Sequence, residues 1–136
     1  MLVDTGPIVA FFDKDDRYHS LCLDILRKIR KPLITTWPVL TECFYLLNFS
    51  WIVQDHLWLF VQRGGIDVWN LAKKDVARVR DLMKQYRDLP MDLADATLVA
   101  AAEALNTSEV FTLDHRDFST YRLEGRRRFI LIPSEL

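Results

Sequence analysis

The sequence predicts an α/β fold: a three-layer α/β/α sandwich around a central, mostly parallel sheet, formed as one domain over residues 1–136. Three observations carry this expectation. Short apolar runs alternate with stretches of helical periodicity along the whole chain, the pattern of βαβ units. The central runs are apolar throughout, as in strands covered on both faces by helices. The chain has 136 residues, 50% hydrophobic and 27% charged, which suits one sizeable core of ordinary globular composition.

The elements follow in order. "MLVDTG" is an apolar run ended by Asp4 and Gly6 and reads as the first strand. "YHSLCLDILRKI" places Leu21, Ile25, Leu26 and Ile29 at helical spacing, with Asp16 expected as its N-cap. "KPLITT" is a strand bounded by Pro32 and Pro38, and "VLTECFYLLN" is a helix with Pro38 near its first turn. "IVQDHLWLFVQR" is a further helix, stopped by Gly64 and Gly65. "IDVWNL" reads as a strand. "KKDVARVRDLMKQYRD" is an amphipathic helix with Val76, Val79, Leu82, Met83 and Tyr86 on its apolar face. A helix runs from about Asp92 to Leu105, and its many alanines permit close approach to a neighbour. "EVFTLD" and "RRFILIP" are the last strands.

Composition narrows the function. The formal net charge is −1, so no global basic field marks a nucleic-acid binder, and any such site must be a local patch. Cys22 and Cys43 form neither a C-x-x-C pair nor a disulfide framework, in keeping with a reducing cytoplasm. No signal peptide is expected, and no apolar run is long enough to span a bilayer, so no membrane partner is expected. His19, His56 and His115 are scattered without H-E-x-x-H spacing, which argues against zinc.

The acids carry the chemistry. Asp4 ends the first strand and Asp114 the strand "EVFTL". Asp92 and Asp95 stand on the first turn of the helix before that strand, and Glu42 is the only charge in "WPVLTECFYLL". Ligands of open α/β sheets bind beyond the carboxyl ends of the strands. If strands one and four are neighbours, these acids converge there. Each has a simpler role open to it. Asp92 is a good N-cap, with Asp95 completing a capping box. Asp4 and Asp114 suit turns. Glu42 either has a buried partner or faces solvent beside Trp37 and Tyr45. Taken together, clustered carboxylates repel, and protons, basic side chains or a metal must offset that repulsion. An oxygen-only donor set selects Mg²⁺ or Mn²⁺.

Four stretches in this order and spacing, "LVDTGPIVAFF", "TECFYLL", "LPMDLADATLVAAAE" and "VFTLDHRDF", resemble the PIN-domain ribonucleases, in particular the VapC-like toxins of toxin–antitoxin pairs. The resemblance covers nearly the whole chain. It implies a PIN-like fold and an endoribonuclease that binds Mg²⁺ or Mn²⁺ through Asp4, Glu42, Asp95 and Asp114 and leaves a 5′-phosphate and a 3′-hydroxyl. Thr5 and Thr112 match hydroxyl positions lining that site, and Asp92 and Asp117 are supporting acids. The resemblance also implies an RNA substrate, a homodimer and a cognate antitoxin.

The remaining features are weaker. "YRLEGRRRF" supplies Arg122, Arg126, Arg127 and Arg128, with Arg116 nearby, and closeness in sequence to Asp114 suggests phosphate contacts. His115 is a further candidate to approach substrate, while Lys73 and Lys74 read as the solvated start of a helix. Trp37, Trp51, Trp58, Trp69, Phe44, Tyr45 and Phe49 are expected in the core or a dimer contact. Rival enzymes fail on particular residues. A phosphoacceptor receiver lacks its middle-strand Asp and later Lys. An aspartic protease shares "DTG" but is all-β. A haloacid-dehalogenase-like phosphatase needs an acid where Gly6 stands. The non-enzymatic alternative is an RNA-binding or scaffold protein that keeps the fold.

Overall fold

Five strands form one fully parallel sheet in the computed structural model, which describes residues 1–136. They are β1 (Leu2–Val3), β2 (Ile34–Thr36), β3 (Asp67–Trp69), β4 (Glu109–Phe111) and β5 (Ile130–Ile132), in the order β3-β2-β1-β4-β5. Leu2 lies opposite Ile34 on one side and Val110 on the other, and Phe111 lies opposite Ile132. The chain moves outward from β1 to β3, then crosses back past β1 to β4. The direction of travel therefore reverses at the β1–β4 boundary, which is the topological switch point. The α/β expectation holds, and so does the adjacency of strands one and four.

The helices are α1 (Thr5–Phe12), α2 (His19–Lys28), α3 (Trp37–Leu46), α4 (Trp51–Gln62), α5 (Val76–Gln85), α6 (Leu93–Ala104) and α7 (His115–Thr120). Two of them, α1 and α7, are not expected from periodicity. Both begin just where a strand was read to end in a turn. In α1 the Asp4 carboxylate accepts the Thr5 N–H, and Pro7 sits within the first turn, where a missing N–H is harmless. In α7 the Asp114 carboxylate accepts the Asp117 N–H. Both strand-end aspartates are thus N-caps as well as acids of the cluster.

Three expectations are corrected. Asp16 does not cap α2; its Oδ1 accepts from Tyr18 N–H in the preceding turn, and the helix starts at His19. Val76 is 52% exposed rather than on the buried face of α5; it is the first residue of that helix, directly after a 3₁₀ turn at Lys73–Asp75. Trp37, Trp51 and Trp58 are exposed, as are Tyr45 and Phe49, so they do not belong to the core. Trp69 is partly buried, and Phe44 stacks on Trp58 with ring centroids 4.4 Å apart. Gly64 and Gly65 end α4 as expected. Gly64 takes φ +80°, and the Gly65 and Gly64 N–H groups return to Phe60 and Val61 carbonyls.

The core sits on both sides of the sheet, from Leu2, Val3, Val110 and Phe111 outward to Leu40, Leu57, Leu82 and Phe118. Helix α6 is buried along most of its length, and Ala96, Ala100, Ala101 and Ala102 leave no bulk to hold its neighbours away. It packs against α3, α5 and β2. This close packing drives the first turn of α6 into the carboxyl edge of the sheet. No helix is long and apolar enough to cross a membrane.

Candidate active site at the carboxyl edge of the sheet

Asp4 is the buried centre of the site, with 7% of its surface exposed. Its N–H donates to the Phe111 carbonyl at 2.9 Å, which extends the β1–β4 ladder by one bond. Its Oδ1 accepts from Thr5 N–H at 2.8 Å, and its Oδ2 accepts from Thr112 Oγ1 at 2.9 Å. Thr112 Oγ1 in turn accepts from Asp114 N–H at 2.9 Å, so one hydroxyl joins the acids of β1 and β4. Thr5 Oγ1 donates to Glu42 Oε1 at 3.0 Å and ties α3 to the same place. Gly6 allows the crowding: a Cβ there would lie 3.3 Å from Leu113, the residue between Thr112 and Asp114.

The first turn of α6 brings the other acids. Asp92 Oδ1 accepts from Asp95 N–H at 2.8 Å, so Asp92 is the N-cap. The capping box expected of the pair is only half formed. Asp95 does not reach back; its Oδ2 accepts from Tyr121 Oη at 2.7 Å. One oxygen from each of Asp95, Asp114 and Asp117 lies within 4.8 Å of the other two. Asp4 and Glu42 stand outside this tight trio, but the charges of Asp114 and Glu42 reach Asp4, and the charge of Asp4 reaches Asp95. Asp117, expected as a supporting acid, thus lies within the tight trio.

Burial, and mutual repulsion after it, raises the acids of the cluster. Burial, reinforced by Asp4, pushes the Asp95 carboxyl up to about 8. Burial pushes Asp4 up to about 6, against the opposing pull of its two hydrogen bonds. Burial also raises Glu42, and burial with the neighbouring Asp114 raises Asp117. No lysine or arginine forms an ion pair with the cluster: the molecule's ion pairs are Arg27–Asp24, Lys31–Glu109 and Arg78–Glu103. A set of converging carboxylate oxygens that no basic side chain pairs with fits a hard divalent cation.

The basic residues divide. Arg116 lies on α7, and its charge acts on Asp117. Arg122 caps the end of α7 through the Ser119, Thr120 and Tyr121 carbonyls. Arg126, Arg127 and Arg128 precede β5, at the amino edge of the parallel sheet and therefore at the opposite end from the acids. There the Glu124 N–H donates to Glu103, near the far end of α6. Proximity to Asp114 in sequence does not become proximity in space. His115 buries its Nε2 without a partner, and His19 Nδ1 bonds the Ala10 carbonyl and joins α2 to α1.

An open groove beside the acids is lined by Trp37, Pro38, Thr41, Glu42, Asp92 and Leu93. A separate cavity among Ile8, Phe11, Leu26, Phe60 and Phe111 is apolar and contains none of the acids. Sequence reading missed Tyr121 and the buried pair Thr36–Thr97. The Thr97 hydroxyl donates to Ala94 O, so Thr36 donates to Thr97 at 2.8 Å and links the end of β2 to α6 one turn after its start. No local signal marked either, since their partners lie 26 and 61 residues away.

A parallel sheet whose switch point gathers five or more carboxylates defines an α/β protein of the acid-cluster class. The chain belongs to the PIN-domain family, whose family model matches residues 1–123. It is 29% identical over 136 residues to Ribonuclease VapC26 of Mycobacterium tuberculosis (strain ATCC 25618 / H37Rv), covering 98% of this chain and all of that one. Its fold is similar to that of M. tuberculosis VapC20, a sarcin–ricin loop cleaving toxin, with a TM-score of 0.76 and 15% identity over 85% of this chain and 90% of that one. It is also similar to VapBC2 from Rickettsia felis, solved bound to a DNA fragment from its promoter, with a TM-score of 0.61 and 18% identity over 96% and 95% of the two chains.

Proposed function

We propose that the protein is an endoribonuclease that hydrolyses RNA phosphodiester bonds with Mg²⁺ or Mn²⁺, and that it is the toxin of a toxin–antitoxin pair. Asp95, Asp114 and Asp117, with their carboxylates within 4.8 Å of one another, carry this reading, beside the buried Asp4. Asp4, Glu42, Asp95 and Asp114 are the catalytic acids, and Asp117 joins them as a metal ligand. When bound, the cation supplies an activated water and stabilises charge on the phosphate oxygens.

The chain's own residues do the rest. Asp4 is fixed in one rotamer by Thr5 N–H and Thr112 Oγ1, which leaves lone pairs on both oxygens for further ligation. Glu42, oriented by Thr5 Oγ1, sits on the groove side, where it accepts a proton from the attacking water. The oxygen of that water joins phosphorus as the bond from phosphorus to the 3′ oxygen breaks, and the leaving 3′ oxygen takes its proton from solvent in the open groove. Arg116 at the start of α7 contacts a substrate phosphate. The groove past Trp37 and Leu93 holds the strand, with Trp37 offering an aromatic face.

The exposed Tyr45, Phe49, Trp51 and Ile52 at the α3–α4 junction suit a protein partner, either an antitoxin or a second copy in a homodimer. Similarity to VapBC2 supports the antitoxin. Buried, unpaired Cys22 and Cys43 suit a cytoplasmic protein. The full set of acids favours catalysis over a binding-only role.

The test is cleavage of a mixed RNA pool by the purified protein with Mg²⁺, with Mn²⁺ and with EDTA, beside Asp95→Asn. Metal-dependent cleavage that the variant loses by at least about a hundredfold is the expected result. RNA binding without cleavage, unchanged by EDTA and by the variant, overturns it.

A further inference from the structure

We infer that Tyr121 is a positioning residue for the proposed metal centre: its hydroxyl grips Oδ2 of Asp95 and fixes the orientation of that carboxylate beside Asp114 and Asp117. The inference rests on the reading of the carboxylate cluster as a metal site. Tyr121 Oη donates to Asp95 Oδ2 at 2.7 Å, a well-formed hydrogen bond to a carboxyl oxygen. The side chain is fully buried, so it touches neither solvent nor substrate and acts only through Asp95.

Its placement explains why this contact matters more than an ordinary buried tyrosine bond. Asp114 is the N-cap of α7, Asp117 lies in its first turn, and Tyr121 is its C-cap, with Tyr121 N–H donating to Asp117 O at 3.0 Å. One short helix thus carries two acids of the trio and the group that grips the third. The third belongs to α6, so the hydroxyl is the side-chain bond that sets the spacing between the two helices at the site. The ring cannot swing away. It packs edge-on against Phe118 at 5.3 Å and Tyr86 at 5.1 Å. Tyr86 Oη in turn accepts from Arg122 N–H at 2.9 Å and fixes the backbone beside it. A partner that orients a ligand in this way commonly changes metal affinity or activity by about 10- to 100-fold when removed.

The experiment is direct Mn²⁺ binding, followed by electron paramagnetic resonance, for the wild type, Tyr121→Phe, Tyr86→Phe and Asp95→Asn, with RNA cleavage titrated against Mn²⁺ in parallel. Phenylalanine keeps the ring and its packing, and thermal melting of the metal-free proteins verifies that each variant folds. Tyr121→Phe is expected to weaken Mn²⁺ binding by about tenfold, with cleavage largely restored at saturating Mn²⁺. Tyr86→Phe removes a hydroxyl from the adjacent ring that touches no acid, and its Mn²⁺ titration is expected to match the wild type. Wild-type binding by Tyr121→Phe overturns the inference, as does an equal weakening in Tyr86→Phe, which would reveal packing alone. If the wild type and Asp95→Asn both fail to bind Mn²⁺, the metal-site reading fails and this inference falls with it.

Discussion

Thr112 and Asp4 stand 108 residues apart in the chain, and the hydroxyl of the first donates to Oδ2 of the second at 2.9 Å in the protein interior. The same hydroxyl accepts the Asp114 N–H, so it joins the acid after β1 to the loop that carries the acid after β4. A serine or threonine suffices for this; an apolar side chain does not. Replacing Thr112 by valine keeps the shape and leaves a buried carboxyl oxygen and a backbone N–H without partners. The expected cost is about 1–3 kcal/mol of stability in urea denaturation, with cleavage reduced as well, while Thr112→Ser recovers most of both. A valine variant as stable and active as the wild type would refute the linkage.

The raised acids predict an unusual stability profile for the metal-free protein. Asp95 at about 8 and Asp4 at about 6 hold protons that the unfolded chain releases near pH 4. Between those limits the folded state binds more protons than the unfolded one, so stability falls as pH rises from about 4 through about 8. Asp95→Asn removes most of this slope. At pH 8 the variant is expected to be more stable by about 1–3 kcal/mol, a range that allows for screening at the open side of the cluster, and to lose that advantage toward pH 4. Thermal melts in EDTA from pH 4.5 to 8.5 give the answer, and a wild type that melts highest at pH 8 contradicts it.

Divalent cations should reverse that loss. A ligand bound only by the folded state at about a hundred times its dissociation constant stabilises by about 2.7 kcal/mol. Mn²⁺ is therefore expected to raise the melting temperature of the wild type at pH 7.5 and to do so less at pH 5.5, where protons compete for the same oxygens. Asp95→Asn should show little of either effect. Equal stabilisation of wild type and variant would place the ion elsewhere.

The division among the arginines is also open to measurement. Arg116→Gln is expected to raise the KM for RNA by about three- to tenfold, as loss of one charge-assisted phosphate contact would, with kcat nearly kept. The combined change of Arg126, Arg127 and Arg128 to glutamine should leave KM within about twofold, because these residues lie at the amino edge of the sheet. A larger effect in the triple variant would mean that the RNA wraps to the far end of the molecule.

Much of this protein was legible in one dimension. Alternation of apolar runs with helical periods gave the parallel α/β architecture, and the positions of Asp4, Asp95 and Asp114 at strand ends and a helix start pointed to one sheet edge. Helices α1 and α7 were not legible. The segment "TGPIVAFF" of α1 is apolar all round, so it carries no period that separates helix from strand. The segment "HRDFST" of α7 is only six residues long. Their start signals, Asp4 and Asp114, suit a turn after a strand as well as an N-cap, so they do not by themselves mark a helix. The place of the arginine run was not legible for a related reason: the chain travels the length of the sheet between the end of β4 and the start of β5.

The sequence by itself determined which residue types meet this site, because an oxygen-donor cluster needs carboxylates whatever the fold around it, and it determined the strand-helix rhythm, because burial repeats locally. Tertiary structure alone decided how those carboxylates are held. Thr112 on Asp4, Tyr121 on Asp95 and Thr36 on Thr97 are bonds between residues 108, 26 and 61 positions apart. Their formation depends on strand order and on how closely the alanine-rich α6 approaches its neighbours, and neither is encoded in any short window of the chain.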